Sequence, residues 1–151
     1  SYPSSFGDTV ALAEDVAVIG SMGEHPTGPS SGAGYVFERD GVGWELREKV
    51  VPADGDGDDH FGNAVAASTE MAVFGAHHDE TTTGKHSGAS YAYGRDSSGW
   101  ELVEKLVPAD CDSEDKFGTA VAVAGRTVLV GAFFDEDPNG EGAGAAYVFQ
   151  L

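Results

Sequence analysis

Several residue types are scarce in this chain of 151 residues, and each shortage excludes a class of protein. The single cysteine, Cys111, excludes an intrachain disulfide and a paired zinc motif. Basic residues number 8 against 26 acidic ones, and the resulting net charge of -18 repels nucleic-acid phosphates and anionic membranes. No apolar run approaches the length of a bilayer span. We therefore expect neither nucleic-acid binding nor membrane insertion.

Apolar residues are abundant enough for a folded domain with a solvated acidic surface. They make up 40% of the chain, and the acidic residues are scattered rather than gathered in a tail. We expect residues 1–151 to form one structural segment. Dense negative charge destabilises a compact state unless counterions screen it, so the composition favours a halophilic source.

The sequence contains three tandem copies of one pattern. A Phe-Gly pair opens each copy, at 6–7, 61–62 and 117–118, and therefore recurs at an almost constant interval. An apolar run that closes on a glycine follows each pair, ending at Gly20, Gly75 and Gly131. After a polar loop comes a Gly-small-aromatic segment, at 32–37, 88–93 and 144–149. The first two copies continue into a Trp-Glu-Leu segment, at 43–54 and 99–110.

These segments predict four strands in each copy. The second strand is apolar on both faces, as expected when a sheet is covered on both sides by its neighbours, and the fourth carries the charges typical of an outer edge. A period of about 55 residues with four strands is one propeller blade. We predict an all-β fold of four-stranded antiparallel blades, in preference to a β-sandwich or β-solenoid, with blades at about 6–53, 61–109 and 117–151.

The third blade is expected to lack its outer strand, and three blades are too few to close a ring. We expect further blades from a longer chain or from a homo-oligomeric partner to complete the propeller. Aromatic residues that repeat in register should lie in the core. They are Phe6, Phe61, Phe117, Tyr35, Tyr91 and Tyr147.

Three motifs resemble the FG-GAP repeat of integrin α-subunit propellers and of prokaryotic and archaeal cell-surface proteins. They are FG-x-x-V-A, the apolar run with Gly-Ala, and G-x-x-Y. The first copy departs from it, with Gly20-Ser21 in place of Gly-Ala. The resemblance implies an extracellular or cell-surface recognition or adhesion module that binds a protein or glycan and is not an enzyme. The alternative is a structural propeller segment or an appendage of a larger protein, including an enzyme.

Calcium-binding members of this family carry a D-x-D-x-D-G loop in the first hairpin of a blade. The hairpins here are too short and lack those ligands, so that site is not carried over. Acidic strings occur instead between blades, at 54–59 and 110–115, where alternating oxygens could bind Ca²⁺ or Na⁺. The candidate ligands are Asp54, Asp56, Asp58, Asp110 and Asp112. A solvated acidic turn is the favoured alternative.

Strand alternation places the interblade connections on the same face as the loops 21–31, 76–87 and 132–143. This face adds Asp79, Asp135 and Asp137 as candidate ligand or cation contacts. It also carries His77 and His86 as candidate transition-metal ligands. Neighbouring His77 and His78 would point to opposite sides of an extended segment, so exposed loop histidines are the favoured interpretation.

No residue is predicted to be catalytic. The chain has no G-x-S-x-G elbow, and Cys111 lies among carboxylates that should raise its pKa and suppress the thiolate. With 26 acidic residues, any chosen pair of carboxylates carries almost no information.

The charge imbalance makes a direct prediction about stability. Because like charges repel and added salt screens them, the melting temperature should rise strongly between low and molar KCl. Thermal melts followed by circular dichroism measure this rise. A melting temperature that stays flat over this range would contradict the halophilic interpretation.

Overall fold

The computed structural model describes residues 3–136 and 142–151, which form three antiparallel β-sheets. The first sheet consists of β1 (Thr9–Ala13), β2 (Val16–Ser21), β3 (Ala33–Arg39) and β4 (Trp44–Val50). The second consists of β5 (Val65–Ala67), β6 (Met71–Ala76), β7 (Ala89–Arg95) and β8 (Trp100–Leu106). The third consists of β9 (Phe117–Ala124), β10 (Thr127–Ala132) and β11 (Ala145–Gln150).

Each sheet is a meander in which successive strands are neighbours, the arrangement of a propeller blade. The predicted all-β fold and its three antiparallel blades are therefore confirmed. The third sheet has three strands within the described residues, and the blades are not closed into a ring. We call the sheets blades 1, 2 and 3.

Blade 2 explains why the second strand of a copy is apolar on both faces. Every residue of β6 is buried, because blade 1 covers one face of blade 2 and blade 3 covers the other. Toward blade 1, Phe74 and Tyr91 pack with Val18 and Val36 in one core cluster. Toward blade 3, Met71 and Val73 share a second cluster with residues such as Val128. The core therefore lies between blades rather than within one.

The phenylalanine of the Phe-Gly pair is part of these interblade cores where a preceding blade covers it. Phe61 and Phe117 are fully buried, and the Phe61 ring stacks on Phe74 at a centroid distance of 5.0 Å. Phe6 differs, because 54% of its surface is exposed. The core prediction is wrong for Phe6, since no earlier blade of the described residues covers it and its ring contacts Tyr35 edge-on at 5.0 Å.

The third-strand tyrosines follow the same rule. Tyr91 of the middle blade is buried, whereas Tyr35 and Tyr147 of the outer blades are half-buried. The core prediction thus holds fully only for Tyr91. Full burial of the third-strand tyrosine therefore occurs in the blade that has a neighbour on both sides, whereas the phenylalanine needs only the preceding blade.

The glycines of the repeat set how closely two blades approach. A Cβ atom on Gly75 would lie 2.0 Å from the carbonyl oxygen of Gly118, and one on Gly20 would lie 2.1 Å from that of Gly62. Gly62 and Gly118 also have positive φ angles of 85° and 90°, which glycine adopts without strain. The Gly118 carbonyl accepts a hydrogen bond from Asn63 Nδ2 at 3.0 Å. The glycine that closes the second strand and the glycine of the next Phe-Gly pair therefore allow backbone contact between consecutive blades.

The outer faces of blades 1 and 3 leave apolar side chains exposed. On blade 1, Val10 and Leu12 are 69% and 71% exposed. On blade 3, Leu129 and Val148 are 44% and 68% exposed. Coverage of these faces by further blades, from a longer chain or from a partner copy, stays a prediction.

The difference between Phe117 and Phe6 predicts unequal effects of truncation. Phe117→Ala should destabilise the fold by about 3–5 kcal/mol, the range for a buried aromatic side chain. Phe6→Ala should cost less than about 1 kcal/mol because its ring is already half in water. Denaturant midpoints of the two variants measure this difference. Equal midpoints would show that interblade burial of the Phe-Gly pair does not stabilise the fold.

The glycine contacts predict a second matched pair. Gly75→Ala should destabilise the protein by roughly 1–3 kcal/mol, since its methyl group meets the Gly118 backbone and the blades must separate. Gly131 occupies the same position in blade 3, but the nearest atom to a Cβ there is 3.6 Å away. Gly131→Ala should therefore be tolerated. Chemical denaturation provides the measurement, and a tolerated Gly75→Ala substitution would disprove the close-approach explanation.

Candidate functional site

One end of the blade stack is built from loops. In blade 1 the loop 22–32, after the second strand, contacts the connection 51–64 that leads into blade 2. In blade 2 the loop 77–88 contacts the connection 107–116 that leads into blade 3. Backbone hydrogen bonds join them, for example from His60 N to Ser30 O at 3.1 Å and from Glu114 N to Lys85 O at 3.0 Å. The prediction that these segments share a face is confirmed, and we call this face the loop face.

A network of an acid, a tyrosine and a lysine ties the loop face to blade 2. The Tyr91 hydroxyl donates to Asp79 Oδ2 at 2.6 Å and lies 3.1 Å from Asp54 Oδ1. Lys105 Nζ from the outer strand donates to Asp54 Oδ2 at 2.7 Å and to Asp79 Oδ1 at 3.1 Å. Two predicted ligand residues, Asp54 and Asp79, are therefore already paired with a cation from the same chain.

The tyrosine–acid pair recurs in register in all three blades, and the lysine recurs in blade 1. In blade 1 the Tyr35 hydroxyl donates to Glu24 Oε2 at 2.6 Å, and Lys49 pairs with the same carboxylate. In blade 3 the Tyr147 hydroxyl donates to Asp135 Oδ2 at 2.5 Å. Asp135, another predicted ligand residue, thus anchors its own loop. The sequence carried this signal as an acid at a nearly constant spacing before each third-strand tyrosine.

Burial raises the pKa values of these carboxylates, and Lys105 lowers them. Burial raises the pKa of Asp79 even though Tyr91 and Lys105 both donate to it. For the more exposed Asp54, burial is outweighed by Lys105, and the pKa of that carboxyl is lowered. Burial opposes the charge of Lys105, but Asp54 and Asp79 together raise the pKa of its ammonium group. The three groups form a unit in which one ammonium group offsets part of the charge of two carboxylates and holds a loop in place.

Each acidic connection between blades contains a buried aspartate whose carboxylate accepts a hydrogen bond from the backbone of the same connection. Asp59 is 5% exposed, and its Oδ2 accepts a hydrogen bond from Asp56 N at 2.6 Å. Asp115 does the same for Asp112 N at 2.5 Å. Burial raises the pKa of Asp59 to about 6. Sequence reasoning missed both residues, because in an acidic string nothing marks which carboxylate turns inward.

The structure brings some of the predicted acidic residues together and separates others. A hollow of about 220 Å³ is lined by the carboxylates of Asp54, Asp56, Asp59, Asp79 and Glu80. Asp58 faces a different cavity, while Asp110 and Asp112 belong to the connection before blade 3 and are exposed. Asp137 lies outside the described residues. Calcium binding by the acidic strings stays a prediction, with Lys105 already providing positive charge beside Asp54 and Asp79 in this hollow.

Four histidines meet beside blade 2. The rings of His77 and His78 have centroids 4.2 Å apart, and His78 stacks on His86 at 4.6 Å. His60 approaches His78 at 4.7 Å. The expectation that His77 and His78 point to opposite sides is wrong, because β6 ends at Ala76 and the two residues form a turn rather than an extended segment.

One ring nitrogen of each of His60, His77 and His78 lies within 4.8 Å of the other two. Among residues 3–136 and 142–151, this is the one group of three metal-ligating side chains so close together. His86 is outside the group, and its Nδ1 lies 3.1 Å from Glu114 Oε1. His77 of the predicted metal pair thus lies in a group with His60 and His78, whereas His86 lies outside it, and metal binding stays a prediction.

The histidines border a cavity of about 520 Å³ between blades 1 and 2. Its walls come from both blades and from the connection between them. They include Met22, Ser30, Asp58, His60, His78 and His86. A second hollow of about 580 Å³ shares Ser30 and Asp58 with it and continues along the loop that contains His25. Together they form a groove on the loop face.

A family model, the FG-GAP repeat, matches residues 4–37, 44–93 and 100–149. The chain belongs to the FG-GAP repeat family. Repeats of this family are generally extracellular, adhesion-type modules, and they are typically non-catalytic. A comparison of the chain with curated proteins gave no match. The described residues contain no helix with the length and apolar character needed to cross a membrane.

The first hairpin of these FG-GAP blades does not fit a calcium ion. In blade 1 only Glu14 and Asp15 separate β1 from β2, and Asp15 Oδ2 accepts a hydrogen bond from Arg95 Nη1 at 3.0 Å. In blade 3 the equivalent hairpin contains Gly125 and Arg126. These turns offer too few oxygens for the six to eight that calcium takes.

Cys111 is buried, and its Sγ contacts Ser87 O at 3.3 Å. Burial, followed by the neighbouring Asp115, raises the pKa of the thiol to about 12. The predicted direction of this shift is confirmed. The main cause, however, is burial, and the carboxylates come second.

The acid–tyrosine–lysine network predicts that Tyr91 is structural. Tyr91→Phe should destabilise the protein by about 1.5–3 kcal/mol, the usual range for a hydrogen bond to a charged group, since Asp79 is left buried with one donor fewer. Tyr147→Phe is the matched control and should cost less, because the Tyr147–Asp135 pair is half-buried. Urea denaturation measures both. Equal, small losses would refute the structural role of the network.

Proposed function

We propose that this chain is a recognition module of an extracellular or cell-surface protein and binds a protein or glycan ligand in the groove of the loop face. The observation that carries the proposal is the cavity of about 520 Å³ between blades 1 and 2. Ligand sites are typically concave, with volumes of roughly 300–1,000 Å³, and combine apolar walls with a few polar groups. Met22, Asp58 and the histidines give this cavity that mixture.

The cavity is built by loops on a rigid scaffold. Its walls are held by hydrogen bonds from Asp58 N to Pro29 O at 2.7 Å and from His60 N to Ser30 O at 3.1 Å. Loops positioned by a packed framework are the usual place for binding residues. The acid–tyrosine pairs, which are joined by a lysine in blades 1 and 2, keep these loops in position without occupying the cavity.

Charge favours a ligand that presents basic groups. Exposed carboxylates are spread over the loop face, at Asp54, Asp56, Asp58, Glu80, Asp110, Asp112, Glu114 and Glu136. Lys49 and Lys105 are already paired with carboxylates, so Lys85 and Lys116 are the lysines of the loop face that remain to offset these acids. With a net charge of -18, the module attracts cationic partners over a distance set by the salt concentration. A basic protein surface is therefore the ligand that the structure favours, and a glycan is the alternative.

The experiment is a binding screen against glycan and basic-peptide arrays, with and without Ca²⁺, followed by titration of each hit. Asp58→Asn should weaken binding about tenfold, equivalent to about 1.4 kcal/mol, since Asp58 lines both parts of the groove. Asparagine suits this position because Asp58 has a φ of 69°. The matched control is Asp112→Asn, an exposed acid outside the groove, which should leave affinity unchanged.

The outcomes separate the alternatives. Binding to basic peptides that falls with added salt supports the favoured ligand, and glycan binding supports the other. A requirement for Ca²⁺ would assign a ligand-bridging role to the acidic strings. If neither array yields a ligand, or if both substitutions have the same effect, the recognition proposal fails and a structural role for these blades takes its place.

A further inference from the structure

The histidine group of blade 2 carries an inference that does not depend on the proposed ligand. The ring centroids of His60, His77 and His78 are separated by 4.2, 4.7 and 5.4 Å. One nitrogen of each ring lies within 4.8 Å of the other two. An ion central to such nitrogens lies at most about 2.8 Å from each, and small ring rotations shorten this to the roughly 2.0–2.1 Å of a Zn–N bond.

Two of these imidazoles have nitrogens without a partner. Nδ1 of His60 and Nδ1 of His77 are buried and have no hydrogen bond to any group of the described residues. Leaving a buried polar atom unsatisfied typically costs about 1–3 kcal/mol. A metal ion satisfies such nitrogens directly. The unpaired atoms therefore point to a ligand, and they are independent of the spacing between the rings.

Burial disfavours the protonated form of these imidazoles, and the neutral form is the one that binds a metal. Burial, followed by the neighbouring imidazoles, lowers the pKa of His77 and of His78 to about 4. Burial also lowers the pKa of His60. Nearby charges are mixed, since Asp58 and Glu114 favour a cation and Lys116 opposes it.

The histidines are specific to blade 2. The equivalent positions hold Ser5, Met22 and Gly23 in blade 1 and Lys116, Phe133 and Phe134 in blade 3. The blade fold therefore needs no imidazole at these places, unlike the phenylalanines and tyrosines that repeat in register. Three imidazoles that meet in blade 2, at positions without histidine in the other blades, indicate a role specific to blade 2 rather than a requirement of the repeat.

From the spacing, the unpartnered nitrogens and the absence of repetition, we propose that His60, His77 and His78 bind a transition-metal ion of the Zn²⁺ class. Imidazole suits zinc, copper and nickel, whereas Ca²⁺ takes oxygen ligands. Three protein ligands leave a coordination position free for water or for a ligand atom. His60 and His78 line the 520 Å³ cavity, so that position opens into the groove.

The test uses the whole chain without a histidine tag, stripped of metal with a chelator. Isothermal titration with ZnCl₂ should show one ion per chain with micromolar or tighter affinity. Zn²⁺ should also raise the melting temperature, because it binds the folded state in preference to the unfolded one. Co²⁺ should give the visible absorption of a four-coordinate, nitrogen-rich site. A large excess of Ca²⁺ should displace neither ion.

Matched variants locate the site. His77→Gln and His78→Gln should each weaken Zn²⁺ binding at least tenfold, with circular dichroism verifying that each variant is folded. His25→Gln tests a loop histidine outside the group, and Asp56→Asn tests adventitious binding by surface carboxylates; both should leave the affinity unchanged.

Three results would overturn the proposal. They are the absence of stoichiometric Zn²⁺ binding to the wild-type chain, a Co²⁺ spectrum typical of six oxygen ligands, and binding that survives His78→Gln but falls with Asp56→Asn. The first two need only the wild-type protein, so they hold even if a histidine variant fails to fold. None involves the peptide or glycan ligand, so failure here leaves the recognition proposal standing.

Discussion

Face-to-face burial between consecutive blades is the interaction on which the rest of this structure depends. A single four-stranded meander has two apolar faces and cannot bury either one alone. Blade 2, covered on both sides, has a fully buried second strand, whereas Val10 of blade 1 and Val148 of blade 3 remain exposed. The pair Gly75 and Gly118 fixes how near the blades come, because any side chain at Gly75 would enter the neighbouring backbone. The interblade groove follows from this spacing.

The acid–tyrosine–lysine network fixes the loops relative to the packed strands. A loop of about a dozen polar residues has little apolar surface of its own, so it needs specific hydrogen bonds to remain in place. Tyr91 lies on a buried strand, and its hydroxyl forms hydrogen bonds with Asp79 in the loop and Asp54 in the interblade connection. Part of the chain's large acidic excess is thus structural, and the remaining exposed carboxylates set the electrostatic character of the loop face.

Residues that repeat and residues that do not have different roles in this molecule. The motif glycines, aromatic residues and network acids recur from blade to blade, because each blade must solve the same folding problem. Met22, Asp58 and the histidines of blade 2 vary between copies and gather around one cavity. A repeat scaffold can vary such positions freely, since neither blade burial nor loop anchoring requires them. This contrast supports placing recognition and metal binding between blades 1 and 2.

The sequence alone determined the blade fold, because a long, nearly constant repeat with four strand patterns in each full copy leaves few architectures. It also marked Phe61, Phe117 and Tyr91 as core residues, since repetition in register reflects a shared environment. Only the tertiary structure showed that Phe6 is exposed, that Lys105 pairs with both Asp54 and Asp79, and that His60 joins His77 and His78. These outcomes depend on contacts between residues far apart in sequence, and on a turn at 77–78 that local patterns do not specify. Strand periodicity fixes which face a residue occupies, but loop side chains have no such period, and tertiary contacts decide their partners.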